Sequence, residues 1–169
     1  TLDEESSVED PLISGIAFNR DEAQLTVAGV PDRPGIAAAI LGPIGDANIE
    51  IDMIVQNVGA DGSTDFTFTV NRVDYDRAVE VARKTAAELN AKGVRTATDI
   101  VKVSLVGVGM RSHAGIASQM FKALAAEGIN IHMISTSEIK ISVVISEKYL
   151  ELAVRTLHKS FGLEGPTAQ

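Results

Sequence analysis

The sequence contains no cysteine in its 169 residues. This absence excludes disulfide bonds, thiolate zinc sites and catalysis by a thiol. A chain without cysteine suits a reducing compartment, so we expect a cytoplasmic protein. No apolar run approaches the roughly 20 residues that cross a bilayer, so no membrane partner is expected.

Basic residues are also scarce. The chain has 15 lysines and arginines against 23 aspartates and glutamates, which gives a formal net charge of −8. A phosphate backbone requires a basic face, so nucleic acid is a poor partner. Aromatic residues make up only 4% of the chain. RNA-binding sheets need exposed aromatics on their central strands, whereas here most aromatics follow the inward positions of the pattern.

An internal repeat with an offset of 80 residues is the most informative feature that the sequence does contain. The matched pairs are Gly29 with Gly109, Gly35 with Gly115, Leu41 with Phe121, Ile49 with Ile129, Ile51 with Ile131 and Met53 with Met133. Two copies of one supersecondary unit explain this self-similarity. Paired ligand sites are therefore expected rather than a single enzyme cleft.

Each copy has the hydrophobic periodicity of a small α+β fold. In the first copy, alternation around Leu25 and Val27 predicts a strand, and the spacing of Ala37, Ile40 and Ile44 predicts a helix face. Two strands joined by a turn at 61–63, a second helix and a weak last strand follow. The order βαββαβ predicts ferredoxin-like units, each with an antiparallel four-stranded sheet and two helices on one face.

The second copy has no fourth strand after its last helix. A sheet without that strand would leave backbone groups unpaired, and an orphan strand precedes the first copy. We therefore predict that residues 12–19 complete the second unit. The predicted boundaries are an acidic tail at 1–11, the first unit at 20–99, the second unit at 100–163 and a tail at 164–169.

The loop between the first strand and the first helix has the chemistry of an anion-binding site. It contains Asp32 and ends at Gly35, which allows a ligand to approach the backbone. Free N–H groups at the helix start, with the positive end of the helix dipole, attract a carboxylate. The equivalent second loop contains Ser112 and His113. An ordinary strand-to-helix turn is the alternative interpretation.

Polar residues near the second strand of each copy supply a complementary chemistry. They are Asp52, Gln56 and Asn57 in the first copy, and Asn130, Ser135, Thr136, Ser137 and Glu138 in the second. A carboxylate or amide here can bind an amino group while a helix start binds the carboxylate, and together they specify a free amino acid. The same polar residues could simply shape turns and edges.

Catalytic and metal-binding patterns are not evident. The three histidines, His113, His132 and His158, lie too far apart for a local metal motif. No nucleophilic triad, phosphate-binding loop or catalytic carboxylate pair stands out. We predict no catalytic residue, no metal and no cofactor in this segment.

The sequence resembles a tandem ACT-domain module, and more closely the regulatory part of bacterial aspartate kinase. The stretches that carry the resemblance are 49–58, 64–69, 102–115 and 130–143. The run that ends in Ser-Thr-Ser-Glu at 135–138, after the loop Gly-Met-Arg-Ser-His at 109–113, is highly specific. This likeness implies allosteric feedback inhibition by threonine, lysine or both in the aspartate pathway. It also implies a kinase catalytic domain outside these residues, either as a separate α subunit or in a longer chain.

The resemblance further implies two effector sites where the first unit of one chain meets the second unit of another, and hence a homodimer. The implied threonine site consists of Asp32, Gly35, Ala37 and Gln56, with Asn130 and Ile131 from the partner chain. The implied second, lysine-like site consists of Asp52, Ser112, His113, Ser137 and Glu138.

Two alternatives remain open from the sequence. One is a free-standing amino-acid sensor that regulates a transcription factor or another enzyme. The other is a small hydrolase of the acylphosphatase kind, which would need an arginine–asparagine phosphate site that Arg33 and Arg111 do not supply.

Overall fold

The computed structural model describes residues 12–108 and 113–163, which form two compact units. The first unit is 21–99, and the second combines 12–20 with 100–163. The tails predicted at 1–11 and 164–169 lie outside the described residues.

Eight strands and four α-helices follow one another in the described part of the chain. In order they are β1 (Leu12–Asn19), β2 (Glu22–Pro31), α1 (Ile36–Asp46), β3 (Ile51–Val58), β4 (Ser63–Asn71), α2 (Tyr75–Glu88), β5 (Gly93–Ala97), β6 (Ile100–Val108), α3 (His113–Ala126), β7 (Met133–Ser137), β8 (Lys140–Ser146) and α4 (Leu150–Ser160). Short 3₁₀ turns precede α2 at Arg72–Asp74 and α4 at Glu147–Tyr149.

The first unit is an antiparallel sheet in the order β3-β4-β2-β5, with α1 and α2 on one face. Ile36, Ile40 and Ile44 recur every four residues along α1 and are all buried. They pack with Leu25 and Phe68, which are fully buried on β2 and β4. The fold class predicted from periodicity is confirmed for this unit.

The second unit is an antiparallel sheet in the order β1-β6-β8-β7. β1 pairs with β6, with Ile16 opposite Leu105 and Asn19 opposite Lys102. Ile16 is buried in the core of this unit together with Leu105 and Leu157. The N-terminal strand therefore completes the second sheet, as the missing fourth strand predicted.

The strand before the second hairpin is shorter than its sequence pattern predicts. The alternation of Ile129, Ile131 and Met133 in the sequence predicts a strand from Ile129 to Thr136, but β7 begins at Met133. The N–H of Ile129 donates to the carbonyl of Leu124 and closes the end of α3, so this apolar residue packs under the helix. The apolar alternation at 129–133 thus spans a helix end and a strand start.

Ala37, which belongs to the predicted helix face, is exposed, and so is the aromatic residue Phe18. Ala37 lies on the solvent side of α1, because the buried stripe runs through Ile36 instead. Phe18 is 41% exposed, because β1 is an edge strand with a neighbour on one side only.

None of the helices in the described part of the chain has the length and apolar character of a membrane-spanning segment.

Candidate functional site

The start of α1 offers backbone donors to a ligand. Gly35 precedes the helix with φ of +87°, a left-handed conformation that favours glycine. The N–H of Ile36 donates to the Arg33 carbonyl, whereas those of Ala37 and Ala38 reach no carbonyl of the described residues. A Cβ added at Gly35 would meet no atom within 4 Å, so the space at this position, beside the helix start, is open. The start of α1 therefore has backbone N–H groups left for a ligand, and anion binding there stays a prediction.

Gln56 lies at the same end of the first sheet as this helix start. β2 and β3 both run antiparallel to β4, so the C-terminal ends of β2 and β3 lie at the same end of the sheet. Gln56 is opposite Phe66, whose ring is buried under the helices, so the exposed Gln56 is on the helix-bearing face. The Asp32 N–H donates to the Gly62 carbonyl at 3.1 Å and fixes the loop to the β3–β4 turn. One end of the first unit therefore contains four of the predicted site residues, which are Asp32, Gly35, Ala37 and Gln56.

The second unit repeats this arrangement with different side chains. β6 and β7 flank β8 and end beside its first residue, so Ser137 is opposite Lys140. The Gly107 N–H donates to the Ile139 carbonyl at 2.8 Å, which holds the end of β6 against the β7–β8 turn. Ser137 and Glu138 are exposed there, at the end of the unit where β6 leads towards α3. His113 begins α3, and Ser112 lies outside the described residues.

The remaining predicted residues are at the opposite ends of their strands. Asp52 is the second residue of β3 and is exposed. Asn130 and Ile131 precede β7; the former is exposed and the latter packs in part against the core. In the first unit, Asp52 is thus at the opposite end from the start of α1. In the second unit, Asn130 and Ile131 are at the opposite end from the start of α3. Neither predicted site is complete within one unit.

Sequence reasoning missed the edges that β3 and β7 expose. Both are end strands of their sheets, with one row of backbone groups unpaired in the sheet. Ile54 on β3 is 51% exposed, and its repeat equivalent Ile134 on β7 is 44% exposed. The repeat offset pairs these two isoleucines and could have found them, but alternation alone does not show which strands are edges.

A second feature that the sequence did not reveal is a cavity of about 550 Å³ within the first unit. Its lining includes Gly29, Asn57, Asp65, Lys92 and Arg95. One wall of the cavity is shaped by a bulge in β2, where the Gly29 N–H donates to Asp65 Oδ1 at 2.9 Å. The cavity is distinct from the start of α1, because no residue of that helix start lines it.

One lining carboxyl has a perturbed pKa. The Ser63 hydroxyl and backbone N–H donate to Asp61 Oδ1 at 2.7 and 3.0 Å and favour the ionised form. The hydroxyl contributes most, and nearby Lys92 adds a smaller effect, so the pKa of Asp61 lies below its usual value. Asp61 is therefore a carboxylate at neutral pH. Within residues 12–108 and 113–163, no group of three histidines or carboxylates could hold a metal ion.

Comparison with known proteins agrees with this geometry. ACT-domain families match residues 23–88 and 103–161, one in each unit. A crystal structure of aspartokinase alpha and beta subunits is 53% identical with a TM-score of 0.84, covering 89% of this chain and 99% of the other. This chain belongs to the aspartate kinase family, as its tandem ACT-domain region.

Two further relatives show which part of an aspartate kinase this chain corresponds to. The ligand-free regulatory subunit of aspartate kinase from Thermus thermophilus is 39% identical, with a TM-score of 0.83 and 99% of its length covered. The aspartate kinase of Pseudomonas fluorescens is 67% identical over this whole chain, but the match covers only 41% of that protein. The chain thus spans about 40% of the curated relatives it matches, and it corresponds to their regulatory part.

Proposed function

We propose that this chain binds free amino acids and gives feedback inhibition of an aspartate kinase by threonine, lysine or both. The observation that carries the proposal is the pair of repeat-related sheet ends, one with the start of α1 and Gln56, the other with Ser137 and Glu138. The kinase catalytic part is either an α subunit or another region of a longer chain. Family membership supports this assignment over a sensor of another enzyme.

The two exposed edges suggest how the sites are completed. If β3 of one copy pairs antiparallel with β7 of another, the start of each strand lies beside the end of the other. Asn130 and Ile131, before β7, would then approach Gln56, and Asp52 would approach Ser137 and Glu138. Ile54 and Ile134 would lose their exposure in the same contact. Both predicted sites therefore follow from one homodimer contact.

The chemistry of the first site suits threonine. The N–H groups at the start of α1 and the helix dipole can bind the ligand carboxylate. The Asn130 side-chain oxygen and backbone carbonyls would accept from the ligand ammonium, and the Gln56 amide would bind the hydroxyl. The second site has Asp52 and Glu138 instead, whose charges suit the side-chain ammonium of lysine. Bound effector would favour the dimer arrangement in which the sites are closed, and it shifts kinase activity only through its different affinity for two states.

Titration calorimetry with L-threonine tests the first site. We expect Gln56→Ala to weaken binding by about 1–3 kcal/mol, because a hydrogen bond to the ligand is lost. Gln119→Ala is the matched control, since this exposed glutamine of α3 lies outside both proposed sites. Equal affinities for the parent and Gln56→Ala would reject the role of Gln56. No heat from any amino acid would reject the proposed function itself.

A further inference from the structure

The cavity of the first unit points to a ligand of its own, separate from the two effector sites. Its lining residues belong to four neighbouring strands and to the turns beside them, all within 21–99. Its volume of about 550 Å³ falls within the usual range for small-molecule sites. No second copy of the chain is needed to form it.

Small residues on the floor keep the cavity open. Ala28 is opposite Gly93 on β5, and both line the cavity. A Cβ added at Gly93 would meet no atom within 4 Å. Gly29 has φ of +68°, and a Cβ there would come within 2.5 Å of Lys92 Cγ. The aliphatic part of Lys92 therefore lies on the bulge, in a place that only glycine leaves free.

The carboxylates of the lining accept hydrogen bonds from the protein, whereas its two cations donate none within the described residues. Asp61 accepts two hydrogen bonds from Ser63, and Asp65 accepts one from the Gly29 N–H. Within the described part of the chain, the Lys92 ammonium forms no ion pair and no hydrogen bond. Arg95 reaches Asp65 only at 3.6 Å between Nη2 and Oδ2, and its side chain is 66% exposed. The donors of Lys92 and Arg95 are thus largely unused.

We propose that this cavity binds a small organic anion, with its carboxylate or phosphate group between Lys92 and Arg95. The guanidinium offers paired N–H donors and the ammonium a mobile point charge, a combination that suits both oxyanions. The exposed Asn57 lines the same cavity and can bind a polar group at the other end of the ligand. The lining also contains Asp61 and Asp65, so the two cations balance two carboxylates that already accept hydrogen bonds from Ser63 and Gly29. This site would give the first unit a ligand response that does not depend on dimer formation.

Amide NMR of the 169-residue chain, titrated with sodium succinate and separately with sodium phosphate, tests the proposal. Neither probe is an amino acid, so neither reports on the threonine site. We expect the amide signals of Gly29, Asn57 and Gly93 to shift with at least one probe, and sodium chloride at equal ionic strength to leave them in place. Succinate alone identifies a carboxylate ligand, phosphate alone a phosphate ligand, and both a general oxyanion site.

Two variants separate this site from unspecific charge effects. Lys92→Ala combined with Arg95→Ala should weaken binding about tenfold or more, because both charged donors are lost. Arg83→Ala combined with Lys84→Ala removes the same charge from exposed positions of α2 and should leave affinity unchanged.

Gly93→Leu provides an independent test that leaves every charge in place. Its side chain would extend into the open cavity, so anion binding should be lost while the chain remains folded. The proposal is overturned if neither probe shifts the three amides, or if the shifts persist in the Lys92 and Arg95 double variant. Threonine calorimetry on the same variants should be unchanged, so a failure here is distinguishable from a failure of the effector sites.

Discussion

Replacing Gly35 by alanine should have two effects that can be measured separately, one on the stability of the fold and one on the affinity for threonine. The φ of +87° is unfavourable for any residue with a Cβ, by about 1–2 kcal/mol. No atom lies within 4 Å of the added methyl group, so steric repulsion adds nothing in the free protein. For a unit of this size, about 1 kcal/mol lowers the melting temperature by about 4–8 °C.

Threonine binding should suffer more than stability does. The added methyl group would lie beside the helix start whose Ala37 and Ala38 N–H groups are proposed to bind the ligand carboxylate. We expect affinity for L-threonine to fall about tenfold or more, which corresponds to about 1.4 kcal/mol. Calorimetry measures the affinity, and a thermal melt measures the stability.

Gly162→Ala is the matched control for this change. Gly162 follows α4, has φ of +66° and also has free space at its Cβ position, but it belongs to neither proposed site. It should lose similar stability and retain threonine affinity. If both variants bind threonine equally well, the carboxylate does not bind at the start of α1.

Three other predictions concern stability and charge. Thr69→Val removes the fully buried hydroxyl that accepts a β3 backbone N–H at 3.0 Å, so urea denaturation should show a loss of about 1–3 kcal/mol; a loss below about 0.5 kcal/mol would contradict the account. Ser63→Ala should raise the pKa of Asp61 in an NMR titration. Because the folded pKa is depressed, the carboxylate stabilises the fold above the unfolded pKa, and this contribution is lost as pH falls through the folded value. The variant should lose only the part of that acid-range dependence that the hydroxyl provides, because the Ser63 backbone N–H still donates to Asp61. Deleting residues 1–19 should destabilise the second unit and spare the first, as seen by hydrogen exchange; equal protection in the deleted chain would show that β1 is dispensable.

Most of the fold could be predicted because the repeat and the hydrophobic periodicity reinforce each other. The stripe through Ile40 and Ile44 and the alternation through Leu25 and Val27 each match one structural period. The position of β1 followed from counting strands, since the second sheet needed a partner for β6.

Other features depend on tertiary packing and could not be read from a linear pattern. Ile129 is apolar and in phase with a strand, yet a hydrogen bond to Leu124 assigns it to the end of α3. The cavity near Lys92 depends on the β2 bulge at Gly29 and on the register of β5. Periodicity also does not reveal which strands form sheet edges, so the exposure of Ile54 and Ile134 required the sheet order.

The candidate sites were partly accessible from sequence. Loop chemistry predicted a donor-rich helix start at Gly35, and the structure shows this local geometry. The partner residues came only from the family resemblance, because Asn130 belongs to the other unit. Their role stays a prediction until two copies of the chain are observed together.

A mixing experiment tests the central claim most directly. Gln56→Ala disables the first-unit half of the threonine site, and Asn130→Ala disables the second-unit half, so each variant alone should bind threonine weakly. In a dimer of one copy of each variant, one site combines both defects and the other is intact. Calorimetry on an equilibrated mixture should therefore recover parental affinity at about one site in four. No recovery in a mixture that exchanges subunits would contradict a site formed between two chains.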